Sequence, residues 1–283
     1  MNIFTLSNKN FGDGVNKRFW EELTNNTIKY NGNRIHYVTT GSIMCLVNNK
    51  SIIFGTGFIS KNSDIGGRNF KSKSNNKFVT PHNIIAVRGP LSRQKFLDFD
   101  IPCPPNYGDP LILMPCIYNK YSNINDNIVG IIPHYIDKKN NNCNILQKNL
   151  QDNGYIVKMI DIEVGNKYEK IIDDINTCNY IISSSLHGVI MGIVYKKNTI
   201  FLEFSDKVIG DSFKFNDFFQ SINIEYTKKN IYDIEVLDNI INVDYKQLYN
   251  IGKKLISLIP FIEENKKEIL TIKYDDFYNE FIS

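Results

Sequence analysis

The sequence predicts an α/β protein with two Rossmann-like domains facing across a cleft and a helical tail at the C-terminal end. Two observations support this prediction. Short apolar runs alternate with helical patterns in both halves of the chain, which is the β-α-β rhythm of open sheets. Residues 120–127 are polar and rich in asparagine, which is typical of an interdomain linker. We therefore assign an N-terminal domain to 1–122 and a C-terminal domain to 123–283, with the tail starting near residue 245.

The first half is expected to begin with a strand at 1–7, a glycine-rich turn and a helix. The turn contains Asn10, Gly12 and Asp13. The helix is indicated by three apolar residues at helical spacing, Val15, Phe19 and Leu23. This segment is therefore the first strand–turn–helix unit of the chain.

Three later strands of this half end in small or turn-forming residues. They are predicted at 35–39, 51–54 and 84–87. Small residues at a strand end let a backbone or a ligand approach closely. The last strand runs into Arg88 and a helix at 91–97.

Two other segments of the first half are expected to form loops. Residues 62–77 are rich in Gly, Ser, Asn and Lys, which predicts a mobile surface loop. Residues 106–113 contain a Gly-Asp-Pro turn with Asp109 at its centre.

The second half repeats the alternation of strands and helices. Strands are predicted at 128–133, 156–160, 180–182 and 199–204, and helices at 145–153 and 168–178. In the tail, a long helix at 245–264, interrupted near Pro260, is expected to precede a short one at 275–282.

The stretch 180–197 carries the strongest functional signal. A short strand leads through Ser183, Ser184 and Ser185 into a helix that starts near residue 186. Open α/β sheets bind ligands at such strand ends, and the free N–H groups of a helix start favour anions. His187, one of four histidines, lies in this turn. Taken alone, the turn is equally consistent with a serine-rich helix cap and an incidental histidine.

Composition narrows the classes of protein. Of 283 residues, 42% are hydrophobic and 22% charged, which indicates a globular rather than a disordered chain. A net charge of +3 gives no reason to expect a nucleic-acid partner. The five cysteines are scattered and form no C-x-x-C pair, and no clustered His/Cys/Asp set suggests a metal site. Without a signal-like segment or a long apolar span, a cytoplasmic soluble protein is expected.

Eight short segments stand out along the chain. They are NFGDGVN at 10–16, GSIM at 41–44, FGTGFI at 54–59, AVRGPLSR at 86–93, YGDPLIL at 107–113, IVGIIPHY at 128–135, SSSLHGVI at 183–190 and SFKFNDFF at 212–219. Each is weak alone, but in this order over about residues 1–225 they resemble the polysaccharide pyruvyl transferase family.

The resemblance implies a fold similar to two-domain GT-B glycosyltransferases and a specific transfer reaction. Members of the family move the enolpyruvyl unit of phosphoenolpyruvate onto two hydroxyls of one sugar, which gives a cyclic pyruvate ketal and phosphate. It therefore implies phosphoenolpyruvate as co-substrate, a glycan or polysaccharide acceptor, and neither a further cofactor nor a metal. A homo-oligomer is compatible with this assignment. The chemistry needs cationic and N–H donors around the anion, an acid for C3 and a base for the hydroxyls.

The resemblance also implies catalytic roles. The family's arginine falls on Arg88, which would bind the donor's carboxylate or phosphate; the alternative is a surface ion pair with Asp98 or Asp100. The family's histidine falls on His187, as general acid or base or as a phosphate ligand. Lys207, about twenty residues further on, is the expected phosphate-binding lysine of some members.

Other residues are expected on the walls of the cleft. Lys214 is a rival to Lys207, and both lysines are alternatively solvated surface residues; His134 is alternatively a rim or core residue. The expected donor-binding residues are Ser183, Ser184, Ser185, Gly188, Lys214 and His134. The expected acceptor-binding residues are Asn10, Asp13, Asn16, Gly57 and Asp109, of which the two aspartates alternatively only cap their turns.

One departure from the family pattern concerns the turn at residues 183–188, which we call the elbow. Many members have arginine two residues before the histidine, where this chain has Ser185. The change implies weaker donor binding, a substitute lysine or lost activity. Two other functions therefore stay open: a nucleotide-sugar glycosyltransferase with Glu203 on the ribose, and a non-catalytic glycan-binding protein.

Overall fold

The structure is a computed structural model that describes residues 1–6, 9–65, 79–122, 127–226 and 232–282. Its strands form two parallel sheets, one in each half of the chain. The first sheet has the order β1-β2-β3, with β1 at His36–Val38, β2 at Ser51–Phe54 and β3 at Asn83–Ala86. The second has the order β5-β4-β6-β7, with β4 at Ile128–Ile132, β5 at Ile156–Met159, β6 at Tyr180–Ser183 and β7 at Asn198–Phe201. The predicted α/β class is thereby confirmed.

Helices connect and cover these strands. They are α1 (Phe11–Thr24), α2 (Pro90–Leu97), α3 (Asn141–Asp152), α4 (Tyr168–Asn176), α5 (Leu186–Val194), α6 (Phe213–Ser221), α7 (Tyr245–Leu258) and α8 (Glu264–Ile282). Short 3-10 helices lie at Met44–Leu46, Pro110–Cys116 and Ile234–Asp238. The β-α-β rhythm predicted for both halves is present in the second half, where α3, α4 and α5 separate β4, β5, β6 and β7. In the first half, a 3-10 helix rather than an α-helix lies between β1 and β2, and α2 follows β3.

The elbow between β6 and α5 follows directly from its sequence. The apolar run of β6 lies between β4 and β7 and is buried, as expected for an inner parallel strand. Every residue of α5 is buried, because this helix is apolar all round and packs against β6, β7 and the 3-10 helix Pro110–Cys116. The polar residues Ser183 to His187 therefore stand between two fixed, buried elements.

Several predicted elements differ from the structure, among them the helix expected at 145–153, which begins at Asn141. Residues 1–6 make only isolated bridges, from Asn2 to Lys29 and from Ile3 to Tyr37, instead of a strand. The strand expected at 199–204 ends at Phe201. The long helix of the tail ends before Pro260, and one helix of 19 residues, α8, replaces the short helix expected at 275–282. Its extra length brings Leu270, Tyr274 and Tyr278 onto one buried face.

Some predictions lie outside the described residues. These include most of the loop expected at 62–77 and the middle of the linker expected at 120–127. The two-domain division and the cleft between the domains also stay predictions. Helices α7 and α8 pack against the 3-10 helix Pro110–Cys116 of the first half, and one hydrophobic core includes Trp20, Ile190 and Tyr274. In the described part of the chain, no helix has both the length and the apolarity to cross a membrane.

Candidate functional site

A cavity of about 380 Å³ opens at the carboxyl ends of β4 and β6. Both halves of the chain contribute to its walls. The lining residues are Leu6, Asn10, Asp13, Ser42, Ile43, Ile59, His134, Tyr135, Ser185, Leu186, His187, Ile209 and Lys214. Ligands of open parallel sheets bind at this edge, so the cavity is the candidate site.

A larger cavity of about 680 Å³ lies beside α1. Its walls include Arg18 and Glu22, whose side chains form an ion pair with each other, and Arg18 also pairs with Glu169. None of the residues predicted from the sequence lines it. We therefore assign the candidate site to the smaller cavity.

His187 lies in the first turn of α5, directly after the elbow, and lines the cavity. Its Nε2 lies 3.6 Å from Oδ2 of Asp109, whose side chain is fully buried. The opposite edge of the ring lies against Gly12 of α1: a Cβ at this glycine would be 1.8 Å from Nδ1. The imidazole is therefore held between the two halves of the chain.

The three serines of the elbow have different surroundings. Ser183 Oγ donates to the carbonyls of Ile132 and Ser185, and Ser184 Oγ donates to Asp137 Oδ2 at 3.1 Å. Both are therefore bound internally. Ser185 precedes α5 without capping it through its side chain, and it lines the cavity. Of the three, Ser185 is the serine placed to meet a ligand.

His134 lines the same cavity in a neutral state. Burial, helped by the electrostatic effect of Lys214 and His187, lowers the pKa of this imidazole to about 3. Its Nδ1 accepts a hydrogen bond from the backbone N–H of Ile136 at 3.4 Å. Nε2 therefore carries the proton, and His134 can donate a hydrogen bond into the cavity.

Lys214 supplies the cation of the cavity wall. It lies in the first turn of α6, is 8% exposed and makes no hydrogen bond or ion pair with other described residues. The pKa of its ammonium is lowered to about 8, mainly by burial and also by the charge of Arg88, while the carboxylates of Asp13 and Glu203 oppose the shift. Lys207 is exposed and does not line the cavity. Of the two rival lysines, the structure brings Lys214 to the site.

Arg88 is enclosed rather than open to the cavity. Its side chain and that of Asp217 on α6 are both fully buried, with Nε and Nη2 each 3.0 Å from Oδ2. Nη1 donates to Ser42 Oγ and Nη2 to the carbonyl of Phe58, each at 2.6 Å. The guanidinium thus joins the first half to α6, and contact of Arg88 with a donor stays a prediction.

The family model for polysaccharide pyruvyl transferases matches residues 23–206. The chain belongs to the polysaccharide pyruvyl transferase family. Membership indicates a transferase that modifies a polysaccharide. Comparison with curated proteins and with solved structures gives no match.

The acceptor residues expected from the resemblance to this family fall into two groups. Asn10 and Asp13 line the cavity, and Asn10 donates to Asp13 Oδ2 at 3.3 Å. Asn16, Gly57 and Asp109 do not line it. Asn16 donates to the carbonyl of Phe4 and accepts from Thr39 Oγ1, and a Cβ at Gly57 would lie 2.5 Å from Cζ of Arg88. Asn16 and Gly57 therefore support buried networks beside the site.

Gly188 and Glu203 also have structural surroundings. A Cβ at Gly188 would be 2.4 Å from Ser183 Oγ, so this position needs glycine for the elbow to close. Glu203 accepts a hydrogen bond from Ser212 Oγ at 2.6 Å and does not line the cavity. Within the ranges that the structure describes, no group of three or more His, Cys, Asp or Glu could hold a metal ion.

Sequence reasoning missed several residues of the site. Asp217, in the segment at 212–219, supports the site through its buried ion pair with Arg88 and does not itself line the cavity. Ser42 and Tyr135 also lie in quoted segments and line the cavity. The positions were therefore available from the resemblance, but their roles depend on partners far away in sequence.

Proposed function

We propose that the protein transfers the enolpyruvyl unit of phosphoenolpyruvate to two hydroxyls of a glycan sugar, forming a pyruvate ketal and releasing phosphate. One observation carries the proposal: a member of this family has His187, His134 and Lys214 together in one cavity at the carboxyl ends of a parallel sheet. Because phosphoenolpyruvate is a metabolite of the cytoplasm, the proposal assigns the protein to that compartment.

The donor is assigned to the side of the cavity formed by the second half. Lys214 binds the phosphate, because a hydrogen bond from an ammonium group to a dianion is stronger than a hydrogen bond between neutral groups. Ser185 Oγ, the Nε2–H of His134 and the free N–H groups at the start of α5 add neutral donors. This set suits a ligand that carries both a phosphate and a carboxylate.

The acceptor is assigned to the opposite side. Asn10 and Asp13 offer amide and carboxylate groups to sugar hydroxyls. Tyr135 lines the cavity with 46% of its surface exposed, so its ring offers an apolar face to a sugar. The glycan would thus enter past Tyr135 and present its hydroxyls toward His187.

The reaction needs two additions at C2 of the donor. In the first, one sugar oxygen bonds to C2 while its hydroxyl proton is passed to C3, which turns the methylene into a methyl group. In the second, the other sugar oxygen bonds to C2 while the bond from C2 to the phosphate oxygen breaks, and the hydroxyl proton leaves with phosphate. His187 is assigned the proton transfers, since an imidazole both gives and takes protons near neutral pH.

The test is phosphate release from phosphoenolpyruvate by the purified protein with a panel of glycan acceptors, with mass spectrometry of the product. We expect phosphate in equal amount to ketal and none from His187→Ala, whose thermal melting should match the unaltered protein. Thermal-shift titrations with phosphoenolpyruvate and with nucleotide sugars separate the alternatives. Stabilisation by nucleotide sugars alone would indicate a glycosyltransferase, and donor binding without phosphate release would indicate a binding protein.

A further inference from the structure

Two buried polar atoms face each other beside the cavity. Nε2 of His187 and Oδ2 of Asp109 lie 3.6 Å apart. Neither atom has a hydrogen-bond partner among the described residues, although both are shielded from solvent. Buried polar atoms are normally paired, and a buried carboxylate oxygen without a donor is costly. Their mutual approach therefore needs an explanation.

Capping accounts for only one oxygen of Asp109. Oδ1 accepts the backbone N–H of Leu111 at 3.0 Å and so caps the 3-10 helix Pro110–Cys116. That helix packs against α5, which carries His187. The cap fixes the carboxylate plane, and the packing aims Oδ2 at the imidazole. A cap alone would leave Oδ2 free to face solvent.

The other edge of the imidazole lies against the start of α1. Nδ1 lies beside the backbone of Gly12, where a Cβ would be 1.8 Å away. Gly12 stands between Asn10 and Asp13, both of which line the cavity. The ring is thus oriented with Nε2 toward the buried carboxylate and Nδ1 toward the start of α1, between two residues of the cavity wall.

We infer that Asp109 is a positioning residue that accepts Nε2–H of His187 and so directs the Nδ1 lone pair into the cavity. The inference rests on the proposed function, because it assigns the atom through which His187 acts. A closure of about 0.7 Å brings the pair to hydrogen-bonding distance, and catalytic hydrogen bonds are often longer before the substrate binds.

In the second addition, Nδ1 takes the proton of the attacking hydroxyl as the oxygen bonds to C2. The bond from C2 to the phosphate oxygen breaks, and Nδ1 then gives the proton to the departing phosphate. The imidazolium formed between these events faces the carboxylate of Asp109, which stabilises its charge. In the first addition, Nδ1 likewise takes the proton of the attacking hydroxyl and gives it to C3 as the oxygen bonds to C2.

The decisive variant is Asp109→Asn. It keeps an oxygen for the N–H of Leu111 and nearly the same shape, but it places an amide donor opposite Nε2. The proton of His187 is then forced onto Nδ1. We expect kcat to fall by about 10²- to 10⁴-fold while KM for phosphoenolpyruvate changes by less than about threefold.

A matched control is Asp233→Asn. Asp233 accepts the N–H of Glu235 at 3.1 Å and caps the 3-10 helix Ile234–Asp238 in the same way, outside the cavity. We expect this variant to retain the kcat of the unaltered protein. A loss of equal size in both variants would assign the effect to capping and overturn the inference.

The tautomer is measured by ¹⁵N NMR of the full chain, with the His187 signals assigned by their loss in His187→Gln. We expect the proton on Nε2 in the unaltered protein and on Nδ1 in Asp109→Asn. A proton on Nδ1 in the unaltered protein would overturn the inference, even if Asp109→Asn failed to fold. This measurement needs neither donor nor acceptor. A protein that releases no phosphate therefore refutes the proposed function while the tautomer still decides the role of Asp109.

Discussion

Asp217→Ala removes the counter-ion of a guanidinium that has no access to solvent. The side chains of Arg88 and Asp217 are both fully buried, and Oδ2 lies 3.0 Å from Nη2. Asp217 also accepts the backbone N–H of Ser92 at 2.8 Å and its hydroxyl at 2.6 Å. The substitution therefore leaves the guanidinium of Arg88 and both the N–H and the hydroxyl of Ser92 without their shared acceptor.

The expected decrease in the free energy of unfolding is the sum of the contributions that these contacts lose. Removing one partner of a buried ion pair costs about 3–5 kcal/mol, because the remaining charge stays unpaired in the interior. The stranded N–H of Ser92 adds roughly 1–3 kcal/mol. We expect the free energy of unfolding to fall by at least about 4 kcal/mol, a large share of the 5–15 kcal/mol typical of a folded protein.

Urea unfolding of the full chain measures this change. The control is Asp174→Ala, because Asp174 pairs with Lys158 at 3.3 Å but both side chains are partly exposed; its loss should be about 1 kcal/mol or less. The double variant Arg88→Met/Asp217→Ala should be less destabilised than the sum of the two single variants, since neither charge is then left alone. A loss in Asp217→Ala no larger than in the control would refute this reasoning.

Three further predictions concern the cavity. Because the pKa of His134 is lowered to about 3, the unfolded chain but not the folded one takes up a proton there as the pH falls below about 6.5. The free energy of unfolding should therefore fall by roughly 2 kcal/mol between pH 7 and pH 5. Urea unfolding should show this loss in the unaltered protein and not in His134→Asn. Lys214→Met should raise KM for phosphoenolpyruvate about tenfold or more, and Lys207→Met by less than about threefold. Because the pKa of Lys214 is about 8, the same KM should rise above pH 8 in the unaltered protein, and an unchanged KM would contradict its role. Gly12→Ala should lower kcat by at least about tenfold, measured beside thermal melting, because its Cβ would displace the His187 imidazole.

The fold was predictable where local periodicity decides the structure. The predicted strand 51–54 matches β2, and the predicted strand 128–133 differs from β4 by one residue. Both are short apolar runs between turn residues, which fixes their type and their length. The strand predicted for the first residues of the chain was wrong. An apolar run becomes a strand only where a neighbouring strand pairs along its length, and here the pairing is limited to single bridges.

The tail shows a second limit of local patterns. Pro260 correctly indicated a break, but the start of the last helix was placed near residue 275 instead of Glu264. The early turns of α8 are largely polar and exposed, so they carry little periodic signal. The packing of Leu270 and Tyr274 against the rest of the protein stabilises these turns, and that packing is a tertiary property.

The sequence indicated several residues that line the candidate site, but it did not indicate which residues pair with each other. Residues that follow strand ends, such as His134, Ser185 and His187, meet at the cavity because the carboxyl ends of parallel strands lie along one edge. The partner of Arg88 is 129 residues away, and that of Asp109 is His187 in the other half. No spacing rule connects such positions, since their distance is fixed by how the two sheets pack.

These long-range pairs explain how a cation reaches the cavity although Ser185, which precedes α5, carries no charge. Lys214 comes from α6, and Asp217 lies one turn further along the same helix. Asp217 is anchored by Arg88 and Ser92, so the buried ion pair fixes the helix that presents the ammonium. Arg88 also helps to lower the pKa of Lys214. The segment that carries Arg88 thus acts on the cavity through α6, the helix that supplies Lys214.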